Sequence, residues 1–278
     1  MIRFSLFIIV LYLAQIKALC AQQNNLFDEA HTKRFASYLY YSGQYAQAIG
    51  EFERLLYFNE QSDSTKYYLI SAYQNANKIK EGITAAHRVF GNSIYTDNNT
   101  IILFSKLLAA SNTDALILFA SQVKNDTLSK LVKMQGAFQS ANWKDAEIYF
   151  SQGKLLNPDL FEPFKSISEQ SMLVKHRSPF AAAAMSTLVP GTGKVYTGNW
   201  KDGLVSAIMI SATTFQAYQG YSRKGFDSPK FWIFGTFTAG FYFGNIYGSV
   251  KSAQKFNKTQ NDAFIKKSRQ IFMALDTF

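Results

Sequence analysis

The stretch that most resembles a chemical site is Leu-Val-Pro-Gly-Thr-Gly-Lys-Val-Tyr-Thr-Gly, residues 188–198. A Walker-type phosphate loop requires Gly, four residues, Gly-Lys and then Ser or Thr, because backbone N–H groups hold the phosphates and the hydroxyl binds Mg²⁺. Leu188 stands where the first Gly is needed, and Val195 stands where the hydroxyl is needed. We therefore predict no nucleotide site and interpret the segment as a turn.

Other residue types that perform chemistry are not arranged for it. The three histidines show no zinc-ligand spacing: His31, His87 and His176. Two acidic pairs are interpreted as solvated helix faces: Glu51 with Glu53, and Asp145 with Glu147. The chain also lacks a Gly-x-Ser-x-Gly nucleophile motif. The sequence therefore predicts a non-enzymatic protein with no catalytic residue, no metal and no cofactor.

Composition and charge limit the classes to which the protein can belong. Of the 278 residues 47% are hydrophobic, which excludes a disordered chain. Residues 22–174 carry 14 Lys and Arg against 15 Asp and Glu, whereas residues 175–278 carry 13 against 4. This excess flanks the most apolar part of the chain, which favours contact with anionic lipid and argues against nucleic acid as a partner.

The N-terminus has the layout of an export signal. Arg3 supplies positive charge, FSLFIIVLYLAQI is apolar, and ALCAQQ offers small residues for cleavage after Ala21. An uncleaved anchor helix is one alternative. A lipoprotein modified at Cys20 is a weaker one, because Leu19 stands where a small residue is preferred. Cys20 is the only cysteine, so a chain that begins after Ala21 has no disulfide and no cysteine-based site. We predict a signal peptide over 1–21.

A periodicity of 34 residues follows the signal. FASYLYYSGQYAQAIGEFERLL begins at Phe35, and LISAYQNANKIKEGITAAHRVF begins at Leu69. The matching positions that define helix packing are Tyr45 with Ile79, Ala48 with Gly82, and Phe52 with Ala86. In a later copy over 134–158 the corresponding residues are Trp143, Ala146 and Phe150. The small residue in each copy lets two helix backbones approach closely.

This pattern resembles the tetratricopeptide repeat over roughly residues 29–165. The resemblance implies stacked helix pairs, and we predict a helical-repeat domain over 22–174 with a concave surface for a protein or peptide partner. Tyrosines supply apolar area with a polar tip, so four of them are candidate partner-binding residues: Tyr38, Tyr41, Tyr67 and Tyr68. Packing of these rings between helices is the alternative.

The C-terminal part contains two long uncharged stretches, 203–222 and 231–250. Each would span about 30 Å as a helix, the thickness of a bilayer core. We therefore predict a transmembrane helical hairpin within a module over 175–257, followed by a basic tail over 258–278. Whether 179–193 spans, re-enters or lies on the membrane is left open, as is the side of the tail. Buried helices of a water-soluble domain are the alternative.

Glycines are expected to organise this module. Gly240, Gly244 and Gly248 share one helix face and predict close helix packing, either against residues 203–221 or against a second copy. The phrase before the first stretch places Pro190, Gly191, Gly193, Tyr196 and Gly198 in a turn at the membrane surface. Over 178–257 this pattern resembles the bacterial two-transmembrane-helix family, which implies a helical hairpin and a membrane location.

The sequence thus predicts an all-α protein, a tetratricopeptide-like solenoid followed by a transmembrane hairpin. The expected location is the bacterial cytoplasmic membrane, with the repeats exported to the periplasm. The expected function is a membrane-tethered scaffold whose partners are a protein or peptide and membrane lipid, with no nucleic acid and no nucleotide. The alternative is a subunit of an envelope transport or secretion complex whose hairpin acts directly.

Overall fold

The computed structural model describes residues 27–275, and every regular element in this range is a helix. The α-helices are α1 (Glu29–Tyr41), α2 (Tyr45–Phe58), α3 (Asp63–Asn75), α4 (Ile79–Phe90), α5 (Asn98–Ser111), α6 (Thr113–Gln122), α7 (Asp126–Gln139), α8 (Trp143–Leu156), α9 (Pro158–Phe161), α10 (Lys165–Met172), α11 (Pro179–Leu188), α12 (Thr192–Tyr196), α13 (Trp200–Lys224) and α14 (Pro229–Ala274). The predicted all-α class is confirmed. The predicted signal peptide, with Arg3 and Cys20, lies outside the described residues.

The chain divides into two compact units within α7. Of the described residues, the first unit covers 27–136 and 275, and the second covers 137–274. The sequence places a domain boundary at 174/175 instead. The last repeat copy belongs to the second unit because Trp143 at the start of α8 packs edge-on against Phe264 of α14, with ring centroids 5.8 Å apart.

In the first unit each helix packs on the next one along the chain, from α1 to α6. The residues predicted to define the packing lie where helices meet: Ala48 is fully buried and Phe52 is 3% exposed. A Cβ atom added to Gly82 would lie 3.0 Å from Cβ of Tyr73 and 3.3 Å from Cδ2 of Leu107. Because α4 fits this closely between α3 and α5, the position admits only a very small side chain.

A polar contact joins three of these helices at their surface. The Arg88 guanidinium on α4 donates a hydrogen bond of 2.5 Å to the Glu53 carboxylate on α2, and the Tyr73 hydroxyl on α3 donates to the same oxygen at 3.4 Å. Burial and the Glu53 charge raise the pKa of Tyr73. The hydrogen bond from Arg88 to Glu53 raises the pKa of Arg88, so the guanidinium stays charged.

The corner between paired helices has the same backbone form in three copies. Gly43, Asn77 and Ala141 adopt φ of 78°, 57° and 53°, and each stands two residues before the second helix of its pair. The residue after each corner donates its N–H to the carbonyl five residues earlier: Gln44 to Leu39 at 2.8 Å, Lys78 to Tyr73 at 3.0 Å, and Asn142 to Ala137 at 2.9 Å. This is the left-handed cap that ends helices with few unpaired carbonyls.

The second unit contains a fourth corner of this kind. Gly198 has φ of 87°, and the Asn199 N–H donates to the Lys194 carbonyl at 2.9 Å. The sequence Asn-Trp-Lys-Asp recurs immediately after both corners of the second unit, at 142–145 and 199–202. The segment predicted as a membrane-surface turn is therefore built like the helix corner of the repeat.

Very close backbone contacts fix α12 between its neighbours. A Cβ atom on Gly191, whose φ is 91°, would overlap the Gly203 carbonyl oxygen, and one on Gly193 would overlap the Ala182 carbonyl oxygen. Ser186 completes the junction, since its hydroxyl accepts from the Gly193 N–H at 3.0 Å. The glycines of this segment are required because α11 and α13 both approach its main chain.

The predicted transmembrane hairpin is wrong. No helix within 27–275 combines the length and the apolarity that a bilayer crossing requires. The stretches 203–222 and 231–250 lack charge, but they are rich in Gly, Ser, Thr, Gln and Tyr, which add little apolarity. These stretches therefore lack charge without being apolar enough to cross a bilayer. The predicted membrane location is wrong for the same reason, and the transport alternative loses the element it required.

The strain at the Ala141 corner gives a stability prediction. A non-glycine residue in the left-handed region costs about 1–2 kcal/mol. Glycine removes this cost, but part of the gain is lost because glycine raises the conformational entropy of the unfolded chain. We expect Ala141→Gly to raise the free energy of unfolding by up to about 1 kcal/mol in urea titration. The matched control, Ala184→Gly, lies exposed within α11 and should lower it by about 1 kcal/mol. Equal destabilisation by both changes would contradict the strained corner.

The close contact at Gly193 gives a second prediction. Gly193→Ala forces apart α12 and the Ala182 carbonyl of α11, at a cost of about 1–3 kcal/mol. We expect a clear fall in the thermal unfolding midpoint measured by circular dichroism. Gly235→Ala is the control, because its added methyl group meets nothing within 4 Å and removes a flexible residue from a helix. A midpoint unchanged by Gly193→Ala would refute the contact.

Candidate functional site

A recess in the first unit that combines apolar lining with convergent polar groups lies where α3 faces the end of α4 and the start of α5. Its volume is about 580 Å³, within the usual range for ligand sites. We call it the tyrosine groove. Its apolar lining is Tyr67, Tyr68, Val89 and Phe90, and its polar lining includes Asp63, Lys66, Asp97 and Asn99. The groove therefore offers aromatic rings beside amide, carboxylate and amine groups.

Tyr68 holds the aromatic side of the groove in place. Its ring stacks on Phe52 of α2, with centroids 5.8 Å apart, and meets Tyr40 edge-on at 5.2 Å. Its hydroxyl lies 3.0 Å from that of Tyr41. This hydrogen bond, followed by burial, raises the pKa of Tyr68, so the phenol remains protonated and can donate or accept a hydrogen bond at neutral pH.

The polar side contains one acceptor without a partner. The side-chain oxygen of Asn99, in the first turn of α5, is buried and receives no hydrogen bond. Its neighbours are already engaged: Asp97 caps α5 by accepting from the Thr100 N–H at 2.9 Å, and Lys66 lies 3.7 Å from Asp63. A buried amide oxygen without a donor is costly, so Asn99 is the group that a ligand N–H would stabilise.

A second recess of about 670 Å³ continues the groove toward the ends of α2 and α4. It shares Lys66, Val89 and Phe90 with the tyrosine groove and adds the ion pair of Glu53 with Arg88. Together the two recesses share three lining residues and carry both signs of charge.

The four candidate tyrosines occupy different surroundings. Tyr67 and Tyr68 line the groove. Tyr38 and Tyr41 lie on α1 and are 62% and 73% exposed. Tyr41 reaches the groove at Tyr68, through the hydroxyl contact and an edge-on ring contact with centroids 6.3 Å apart. Sequence reasoning missed Phe90 and Asn99. Phe90 ends a repeat copy but is not one of its matched packing positions, and no local motif distinguishes Asn99.

The Gly-Thr-Gly-Lys segment offers no phosphate cradle. The Gly193 N–H donates to Ser186, and the N–H groups of Lys194 and Val195 both donate to the Gly191 carbonyl, at 3.1 and 3.2 Å. The Lys194 amine donates to the Ser206 hydroxyl at 2.7 Å. These donors are used within the fold. Of the other turn residues, Tyr196 accepts from the Ser178 N–H at 3.3 Å, and Pro190 precedes the Gly191 turn.

The acidic pairs are likewise engaged in structural contacts. Glu51 pairs with Arg54 at 3.0 Å, Asp145 bonds the Asn142 amide at 2.7 Å, and Glu147 accepts from Ser151 and Ser168. Within 27–275 no group of three or more His, Cys, Asp or Glu side chains is placed to hold a metal ion.

The remaining predicted packing residues lie in the second unit, apart from Tyr45 and Ile79, which are half-buried at the starts of α2 and α4. Ala146 is fully buried and Phe150 is 6% exposed, while Trp143 contacts Phe138 and Phe264. The predicted glycine face is divided: Gly248 lies near Lys194, whereas a Cβ atom on Gly240 or Gly244 would have nothing within 4 Å.

Comparison of the chain with protein-family models, with curated proteins and with solved structures finds no match. Functional inference therefore rests on the groove itself.

Proposed function

We propose that this protein is a non-enzymatic helical-repeat protein that binds an extended segment of a protein partner in the tyrosine groove. The proposal keeps the resemblance to tetratricopeptide repeats and drops the membrane tether. The recurrent corners at Gly43, Asn77 and Ala141 support the resemblance, because they add a repeated backbone feature to the repeated side-chain pattern.

The observation that carries the proposal is the unpaired Asn99 oxygen beside Tyr67 and Phe90. An extended peptide presents backbone N–H groups at regular intervals with side chains between them. One N–H would satisfy the Asn99 oxygen once that side chain turns toward the groove, while an adjacent apolar side chain covers the Tyr67 ring. The ion pair of Arg88 with Glu53 further along the groove favours a segment that also carries polar residues.

A selected peptide tests this proposal. A phage-displayed library of random peptides is panned on the full-length chain, and the affinity of the recovered peptide is measured by fluorescence polarisation. We expect Tyr67→Ala to raise the dissociation constant about tenfold, because it removes an aromatic anchor. Asn99→Ala should raise it about three- to tenfold, the value of one hydrogen bond.

Tyr38→Ala is the matched control, since Tyr38 is an exposed tyrosine of α1 outside the groove. It should leave the dissociation constant unchanged, and circular dichroism should show all three variants folded. Loss of affinity with Tyr38→Ala alone would move the site to α1 and reject the groove. Recovery of no peptide that competes at Tyr67 would reject the function.

A further inference from the structure

The side of α14 that faces away from α11 and α13 is an exposed apolar surface. Asn245 and Ser249 are buried on the inner side of the helix, where it packs on those two helices. Ile233, Phe237 and Tyr247 lie on the opposite side at helical spacing and are 55%, 51% and 64% exposed.

Gly240 and Gly244 lie in the middle of this surface and open a shallow groove in it. A Cβ atom added to either would have no heavy atom within 4 Å, so α13 does not make the close approach that the glycines allow. We call the surface formed by Ile233, Phe237, Gly240, Gly244 and Tyr247 the outer glycine face.

The exposed apolar area on α14 is at the upper limit of what a monomer normally leaves uncovered. Six large apolar side chains of α14 are each at least 40% exposed: Trp232, Ile233, Phe237, Phe241, Phe243 and Tyr247. At about 100 Å² apiece they amount to about 600 Å², against about 300–600 Å² for the largest patch on a typical monomer. A standard protein interface buries about 800 Å² on each partner, so this surface supplies most of the area of one.

The charge pattern identifies the occupant. Residues 231–250 contain no charged residue, so the face offers nothing to a partner that is selected by charge. The same uncharged face on another copy matches it in polarity, and glycine in both helices allows their backbones to approach closely. We infer that the outer glycine face is the interface of a homodimer, in which the α14 helices of two copies cross at Gly240 and Gly244.

The spacing of the glycines sets the geometry of the crossing. Gly240 and Gly244 lie on a row of residues four apart, and helices that pack such rows cross at about −50°. The two helices then diverge on either side of the contact. Lys251, Lys255 and Lys258, which follow on the exposed side of α14, remain in solvent and do not meet their counterparts.

Sedimentation equilibrium of the full-length chain tests the dimer. We expect a mass twice that of the 31.4 kDa chain. The double variant Gly240→Leu, Gly244→Leu should raise the dimer dissociation constant about 100-fold, because side chains fill the groove at the crossing. It should remain folded by circular dichroism, since both sites are open in one chain and leucine is a good helix former.

Ala239→Leu is the control, because Ala239 is exposed on the same helix but lies about 100° around from Gly240. It should leave the dissociation constant unchanged. A complementary measurement uses Gly240→Cys in a Cys20→Ser background. Two copies that cross at this residue form a disulfide-linked dimer on mild oxidation, whereas Ala239→Cys in the same background does not.

Three results would overturn the inference. The first is a wild-type chain that is monomeric at micromolar concentration. The second is a dimer that persists in the double leucine variant. The third is a monomer that co-sediments with phosphatidylglycerol vesicles, which would assign the face to a lipid surface. The groove proposal is unaffected by each of these, because its peptide-binding test reports on Tyr67 and Asn99.

Discussion

Close contact between helix backbones at very small residues is the constraint on which both compact units depend. In the first unit, Gly82 lets α4 lie against α3 and α5 at once. In the second, Gly193 and Gly203 let α12 lie against the main chain of α11 and α13. A larger side chain at any of these places separates helices whose other contacts assume that spacing, because packed interiors do not yield by a whole methyl group at low cost. The shape of the tyrosine groove depends on the same kind of contact, because the helices on its two sides are held together at Gly82.

Sequence patterns predicted the helices and much of the packing because these features follow from local spacing. The residues that share a position in the 34-residue pattern, such as Ala48 and Gly82, are buried where helices meet. The departure of Leu188 and Val195 from a phosphate loop was also readable, because that chemistry requires particular residues at particular positions. In the same segment the structure adds what spacing does not contain: the N–H donors that a phosphate would need already have acceptors within the fold.

The membrane prediction failed because length, lack of charge, basic flanks and aromatic content do not together establish sufficient apolarity. The stretch 231–250 is uncharged and long enough to cross a bilayer, but its helix is not apolar enough. Its aromatic and glycine content instead produces a helix with a polar seam at Asn245 and Ser249 on one side and exposed rings on the other. The groove was only half predicted for a related reason. Tyr67 and Tyr68 were recognisable as residues that suit a partner, but Asn99 joins them only through the approach of α5 to α3, which no local pattern encodes.

The left-handed corner accepts Gly, Asn or Ala while its backbone form stays the same. The backbone conformation of the corner therefore recurs along this chain, whereas the residue type at the corner varies. Sequence similarity between copies consequently underestimates how alike they are in shape. A corner that tolerates such variation also allows a helix pair to be copied, and its side chains to diverge, without a change in the path of the main chain. The Asn-Trp-Lys-Asp segments that follow the corners at Ala141 and Gly198 are alike in sequence as well as in backbone path. Duplication of one ancestral segment would produce this likeness.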